Sequence, residues 1–248
     1  VLMYIIKLLE DSFSIKYHHN MDFLIVVQAH LFTRLGKNGA SLVDALLLKL
    51  ANLRNSKDFR YNDSVSFALA KALRALGPEQ FLSILPLNLH TNDPQDWILK
   101  VMQKSVESAS LMFFSSYFIP LSKKILGVQK TISIQEKWKL NKFKLYFKQI
   151  WACFPSFCNY PSDTAEAFPY LAKDVGTLLA STNSTDIQQK LCIGLKRLMT
   201  QNLECAMSTD ESAHFYTTKT AKANLASITK YAPNYIPILF NLYAKTAA

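Results

Sequence analysis

Lysines are the residues with the most chemistry to offer. Between positions 123 and 148 stand Lys123, Lys124, Lys130, Lys137, Lys139, Lys142, Lys144 and Lys148, against a single acid, Glu136. Eight positive charges less one negative leave a local +7, most of the +10 carried by the whole chain. Ammonium groups in such density suit a polyanion, because each phosphate they neutralise releases counterions. The resulting affinity would fall steeply with salt and carry no base specificity. Helical spacing after Ile132 puts Lys137, Lys144 and Lys148 on one face, with Asn141 between them, and Leu140, Phe143, Phe147, Ile150 and Trp151 on the other. The candidate nucleic-acid contacts are therefore Lys123, Lys124, Lys130, Lys137, Lys142, Lys144 and Lys148. A solvated face or an acidic protein partner would account for the same stripe. Phe143, Phe147 and Trp151 could stack on bases, but their spacing is that of a core stripe.

Other constellations offer less. Cys153, Cys158, Cys192 and Cys205 form no C-x-x-C, and the pair 153/158 has no histidine nearby, so small core residues are expected rather than metal ligands. His18, His19, His30, His90 and His214 include no H-E-x-x-H or other paired ligand spacing. There is no G-x-S-x-G elbow and no phosphate-cradling glycine loop. Asp93, Asp96 and Asp163 read as helix starts, where the dipole favours negative charge. The residues point to a non-enzymatic protein with no cofactor, no metal and no small-molecule substrate.

The elements that must position the lysines are helical. At 248 residues, 50% hydrophobic and 19% charged, the chain can bury a sizeable core. Periodicity marks a helix with Phe23, Val26, Val27, His30 and Leu31 on one face, stopping near Gly36, and a second through Leu42, Ala45, Leu46, Leu50 and Leu53, capped by Ser41. A third runs from Ser64 to Leu76. Gly77-Pro78 then ends one helix and opens the next. Further helices are expected at 97–101, 108–121, 132–153, from Asp163 with Pro169 as a kink or restart, from Thr185 or Asp186, at 212–231 and at 235–244. These make about eleven or twelve, with no alternating strand pattern.

The helices come as pairs of ~40 residues, the period of HEAT and armadillo repeats. The expected fold is an all-α, superhelical solenoid of such pairs, with residues 1–248 as one continuous segment; a compact helical bundle is the competing architecture. The chain opens at Val1 inside an apolar run without an initiator Met or a cap, so it reads as a piece of a longer protein. The longest apolar stretch, Ser108 to Ser122, is too short for a membrane span and contains Pro120. The sequons at Asn62 and Asn183 read as chance matches.

Three stretches carry a resemblance. They are A-L-G-P-E-Q-F-L-S-I-L-P-L-N-L at Ala75 to Leu89, F-C-N-Y-P-S-D-T-A-E-A-F within Trp151 to Ala172, and A-P-N-Y-I-P-I-L-F-N-L-Y at Ala232 to Tyr243. Together they resemble the ribosomal RNA-processing protein 12 family, over roughly Ser64 to Ala244. The resemblance implies a HEAT-like α-solenoid in the nucleolus and nucleus, with shuttling to the cytoplasm left open. It also implies association with precursor ribosomal RNA and the proteins of pre-ribosomal particles such as the small-subunit processome, with roles in RNA maturation and subunit export. It implies no enzymatic activity and no membrane. Within the blocks, Pro161 and Asp163 look placed to start a helix, and Phe168 and Leu171 to pack it.

The alternative reading is a karyopherin-like transport adaptor that binds Ran, cargo or nuclear-pore repeats. Apolar grooves between outer helices would favour the adaptor. A basic surface would favour RNA scaffolding.

Overall fold

The computed structural model describes residues 2–13, 15–56, 59–91, 93–208 and 215–247, and among them no strand forms. Two compact units emerge, residues 1–106 and 107–248.

The first unit holds α1 (Leu2–Asp11), α2 (Met21–Leu35), α3 (Ala40–Asn55), α4 (Asn62–Leu76), α5 (Pro78–Ile84) and α6 (Trp97–Ser105). The second holds α7 (Leu111–Phe113), α8 (Ile119–Thr131), α9 (Lys137–Ala152), α10 (Phe154–Phe157), α11 (Thr164–Ser181), α12 (Thr185–Met207), α13 (Thr218–Thr229) and α14 (Ala232–Ala247). Helices α7 and α10 are single turns, which leaves twelve longer helices among the described residues, as the periodicity predicts.

Within each unit, helices pack on elements other than their chain neighbours. In the first unit α1 lies on α3 and α2 on α4, while α3 and α4 also pack as a pair. In the second, α11 lies on α13, α12 on both α9 and α13, and α14 on α11. Helices thus touch elements beyond their nearest chain neighbour, which is how stacked helix pairs bury faces that a lone pair would leave open. The fold is all-α and of the HEAT-like helix-pair type.

Glycine and proline punctuation falls where expected at Gly36, Gly77 and Pro78. Gly36 (φ 57°) and Gly77 (φ 81°) take the left-handed conformation at the ends of α2 and α4. Pro78 opens α5. Pro169 lies inside a continuous α11, so it neither breaks the chain into two helices nor restarts one. Near Pro120, which cannot donate to the ladder, Phe114–Phe118 widens into a π-turn whose final bond runs from Ile119 N–H to the Phe114 carbonyl. Helices α7 and α8 therefore read as one long helix with a bulge.

One helix face and one helix start differ from expectation. In α2 the buried positions are Met21, Ile25, Gln28, Ala29 and Phe32, while Phe23 (73% exposed) and Val27 (52%) face outward. That helix is apolar around most of its girth, so periodicity alone could not choose the face. Helix α3 starts before Ser41, with Gly39 in the cap position. Helix α13 begins at Thr218, its N-terminus capped by the Thr217 hydroxyl, which accepts from Thr220 N–H at 3.2 Å. The expected earlier start at Ser212, and His214, lie outside the described residues.

The core of the second unit is aromatic. Phe114 sits between Phe118, Phe154 and Phe157, at centroid distances of 5.3, 5.4 and 5.2 Å, with Trp151 at 5.8 Å. All five are buried. This cluster fixes the inner side of α9 and so decides which way its lysines point.

Candidate nucleic-acid interface

Helix α9 buries Phe143, Tyr146, Ile150 and Trp151, and half-buries Leu140 and Phe147. Phe143 and Trp151 are thus core and Phe147 borders it, as their spacing predicts, and Tyr146 belongs to the same stripe although the expected face did not include it. Gln129 of α8 donates to the Phe143 carbonyl at 3.1 Å and ties the two helices together. With that face fixed, Lys137, Lys142, Lys144 and Lys148 are exposed on α9, and Lys123, Lys124 and Lys130 are exposed on α8. All seven candidates are therefore presented to solvent, on two helices that pack against each other.

They are not equivalent. Lys123 pairs with Asp174 of α11 at 2.7 Å, and Lys148 with Asp186 of α12 at 3.1 Å. Lys139, half-buried, meets Glu136 at 3.5 Å. The Lys142 ammonium stands 5.7 Å from the centroid of the Tyr146 ring. Among the described residues, Lys124, Lys130, Lys137 and Lys144 have no ion-pair partner. The local +7 is thus softened by two acids that tertiary packing brings in from elsewhere. Exposed pairs of this kind are worth ~0–1 kcal/mol and are screened by salt, so a phosphate can displace them.

The block Trp151 to Ala172 is structural. Cys153 and Cys158 are buried, and burial pushes the Cys158 thiol up despite the nearby Arg197. Burial also raises half-exposed Cys192. Among the described residues no three His, Cys, Asp or Glu side chains converge as metal ligands. Arg197 Nη1 donates to the Pro155 carbonyl at 2.7 Å, and Gln201 donates to Asn159 Oδ1 at 2.8 Å while accepting from Tyr160 N–H. Tyr216 Oη donates to the Pro161 carbonyl at 2.8 Å. Phe168 and Leu171 are fully buried, as expected.

Asp163 stands where expected, at the start of α11, but its side chain serves another helix. It precedes α11 but makes no side-chain bond to that helix. Its carboxylate accepts instead from Leu111 N–H at 2.7 Å, Met112 N–H at 3.2 Å and Ser110 Oγ at 2.5 Å, at the start of α7.

Two further features belong to the structure rather than to the motifs. Trp138 is 69% exposed, on the outer side of α9. The helical wheel carries a signal for it, because it falls opposite Phe143 and Ile150. An apolar groove of about 520 Å³ runs between α11, α12, α13 and α14, lined by Cys192, Leu195, Met199, Ile228, Ile236 and Leu239 among others. No run of sequence signals it, because its walls come from four helices. Among the described residues no helix is long and apolar enough to cross a membrane.

Comparison with known proteins gives the chain its kin. The RRP12-like protein of Gallus gallus is 29% identical over 244 residues, covering 95% of this chain and 17% of that protein. The RRP12-like protein of Homo sapiens is 26% identical over 250 residues, covering 98% and 18%. Ribosomal RNA-processing protein 12 of Saccharomyces cerevisiae is 24% identical over 259 residues, covering 99% and 21%. The chain thus spans about a fifth of the length of these curated relatives. A family model described as Ribosomal RNA-processing protein 12, HEAT repeats, matches residues 1–246. The chain belongs to the ribosomal RNA-processing protein 12 HEAT-repeat family.

Proposed function

We propose that this protein is a non-enzymatic scaffold of ribosome biogenesis that holds precursor ribosomal RNA and pre-ribosomal assembly proteins in place. The observation that carries the reading is the lysine face of α8 and α9, whose seven candidate ammonium groups are all exposed over a rigid aromatic core. Such a face supplies phosphate affinity with no base readout, which suits a protein that must hold RNA without cutting or copying it. The family name supports a place in ribosomal RNA processing. The same reading places the protein in the nucleolus and nucleoplasm, in subunit maturation and export, and takes residues 1–248 as one continuous run of HEAT-like pairs.

A salt series of binding to precursor ribosomal RNA tests it. Lys137, Lys144 and Lys148 reversed to Glu should weaken binding and reduce the slope of log affinity against log salt by roughly 0.7–0.9 for each phosphate left unneutralised. Unchanged binding would mean that the stripe does not touch RNA.

A second reading rests on the apolar groove between α11, α12, α13 and α14. That groove favours an adaptor that takes apolar peptides, such as nuclear-pore repeats or a karyopherin or Ran complex. Met199→Asp, in the groove wall, would abolish peptide capture and leave RNA binding intact.

A further inference from the structure

The outer face of α9 carries more than charge. Trp138 is 69% exposed and Leu145 49%, seven residues apart and so on the same side of the helix. The other large aromatic residues of α9 turn inward: Phe143 is 8% exposed, Tyr146 1% and Trp151 3%, and Phe147 is half-buried. Trp138 alone among these presents its ring to solvent. Its neighbours on the exposed helix surface are Lys137, Asn141 and Lys142, with Lys144 farther along on the Lys137 side. Lys142 lies one turn on from Trp138, and Lys137 is its chain neighbour.

We propose that Trp138 is a base-stacking platform, and that the α8–α9 surface takes single-stranded RNA in preference to duplex. This deepens, and rests on, the reading of the lysine face as an RNA contact. An indole face flanked by ammonium groups offers a nucleotide both things it needs: a π surface for the base and cations for the phosphates on either side. Lys137, Lys144 and Lys148 extend along about 16 Å of helix axis, so phosphates beyond the stacked base also find partners. Duplex RNA matches only the charge, because its base faces are already stacked on one another. Asn141, one turn from Trp138, supplies a donor and an acceptor for a base edge.

The surface fits an acidic amphipathic helix less well. Such a partner wants a continuous apolar groove, and here Asn141 and Lys142 interrupt the ridge between Trp138 and Leu145.

The test measures affinities of the protein for a single-stranded oligoadenylate, a duplex RNA of equal length and polyglutamate. Trp138→Ala, Trp138→Phe and the triple lysine reversal are compared with the parent. The single strand should bind more tightly than the duplex. Trp138→Ala should weaken single-strand binding about tenfold, within the range known for removal of one base–aromatic stack. Duplex binding should stay as it was, and Trp138→Phe should keep most of the affinity. Binding should quench the exposed indole's fluorescence in the parent. Trp138 packs little, so thermal melts should show each variant folded. Equal losses for both RNA forms, no loss at all, or tighter binding of polyglutamate than of RNA would overturn the proposal. If the lysine reversals abolish binding while Trp138→Ala does nothing, stacking is refuted and the charge reading survives. If the parent binds neither RNA, both are refuted.

Discussion

The carboxylate of Asp163 accepts the Ser110 hydroxyl at 2.5 Å, and so caps a helix that begins fifty-odd residues earlier in the chain. The Ser110 hydroxyl also accepts from Phe113 N–H at 3.0 Å, so one side chain relays the cap to the first turn of α7. The short turn before α11 is thereby bound to the start of the long bulged helix that carries Lys123, Lys124 and Lys130. Asp163→Ala should cost about 0.5–2 kcal/mol, the range for removal of an N-cap. Asp163→Asn should cost less, because an amide oxygen still accepts. Urea denaturation of the three proteins decides it, and an Asp163→Ala variant as stable as the parent would sink the claim.

Gly194 in α12 offers a second check on the same block. A methyl group there would come within 2.6 Å of two Phe154 ring carbons and 3.1 Å of the Cys158 sulfur. Alanine normally favours a helix over glycine by about 1 kcal/mol, but overpacking a rigid core costs roughly 1–3 kcal/mol. Phe154 is fully buried, so its ring has little room to retreat. Gly194→Ala should therefore destabilise, and adding Phe154→Leu should recover part of the loss. A melting temperature that rises on Gly194→Ala would show that the ring moves freely.

High pH probes two buried phenols. Tyr235 Oη donates to the Ala172 carbonyl at 2.6 Å, and Tyr216 Oη to the Pro161 carbonyl at 2.8 Å. Burial raises both above the ordinary value of 10.0. The folded chain thus keeps protons that the unfolded chain releases. The stability these groups contribute is complete below pH 10 and is lost as pH rises beyond it. The denaturant midpoint should be flat from pH 8 to about 9.5 and fall above 10. Tyr235→Phe should shrink that fall while lowering stability at neutral pH. A midpoint as high at pH 11 as at pH 8 would contradict the linkage.

Much of this fold is legible in the sequence because the stops are local. Gly77-Pro78 ends α4 and starts α5 through backbone conformations that few other residues share. The face of α2 is less legible, since Leu24, Ile25, Val26 and Val27 are apolar on every side and only packing selects Ile25. The role of Asp163 is also hidden. A residue before a helix looks like its cap, and nothing local reveals that Ser110 and the amides of Leu111 and Met112 compete for the same carboxylate. For the candidate interface, exposure of the lysines follows from helical spacing, because the same wheel that buries Phe143 and Ile150 turns Lys137 and Lys144 outward. Their partial neutralisation does not, because Asp174 and Asp186 arrive through tertiary packing.

Those two acids give the last prediction. Asp186 holds Lys148 at 3.1 Å and Asp174 holds Lys123 at 2.7 Å. If the lysines serve RNA, each acid competes with phosphate for an ammonium group. Asp186→Asn and Asp174→Asn should tighten RNA binding and steepen its salt dependence, each by up to one further neutralised phosphate, or about 0.7–0.9 in slope. Stability should change by less than about 1 kcal/mol, because both pairs lie at the surface. The direction separates this from a structural role: breaking a pair that merely braced α8 or α9 would weaken binding. Salt titrations of the two variants beside the parent give the sign, and a weaker, shallower curve would mean that Asp174 and Asp186 position the lysines rather than compete for them.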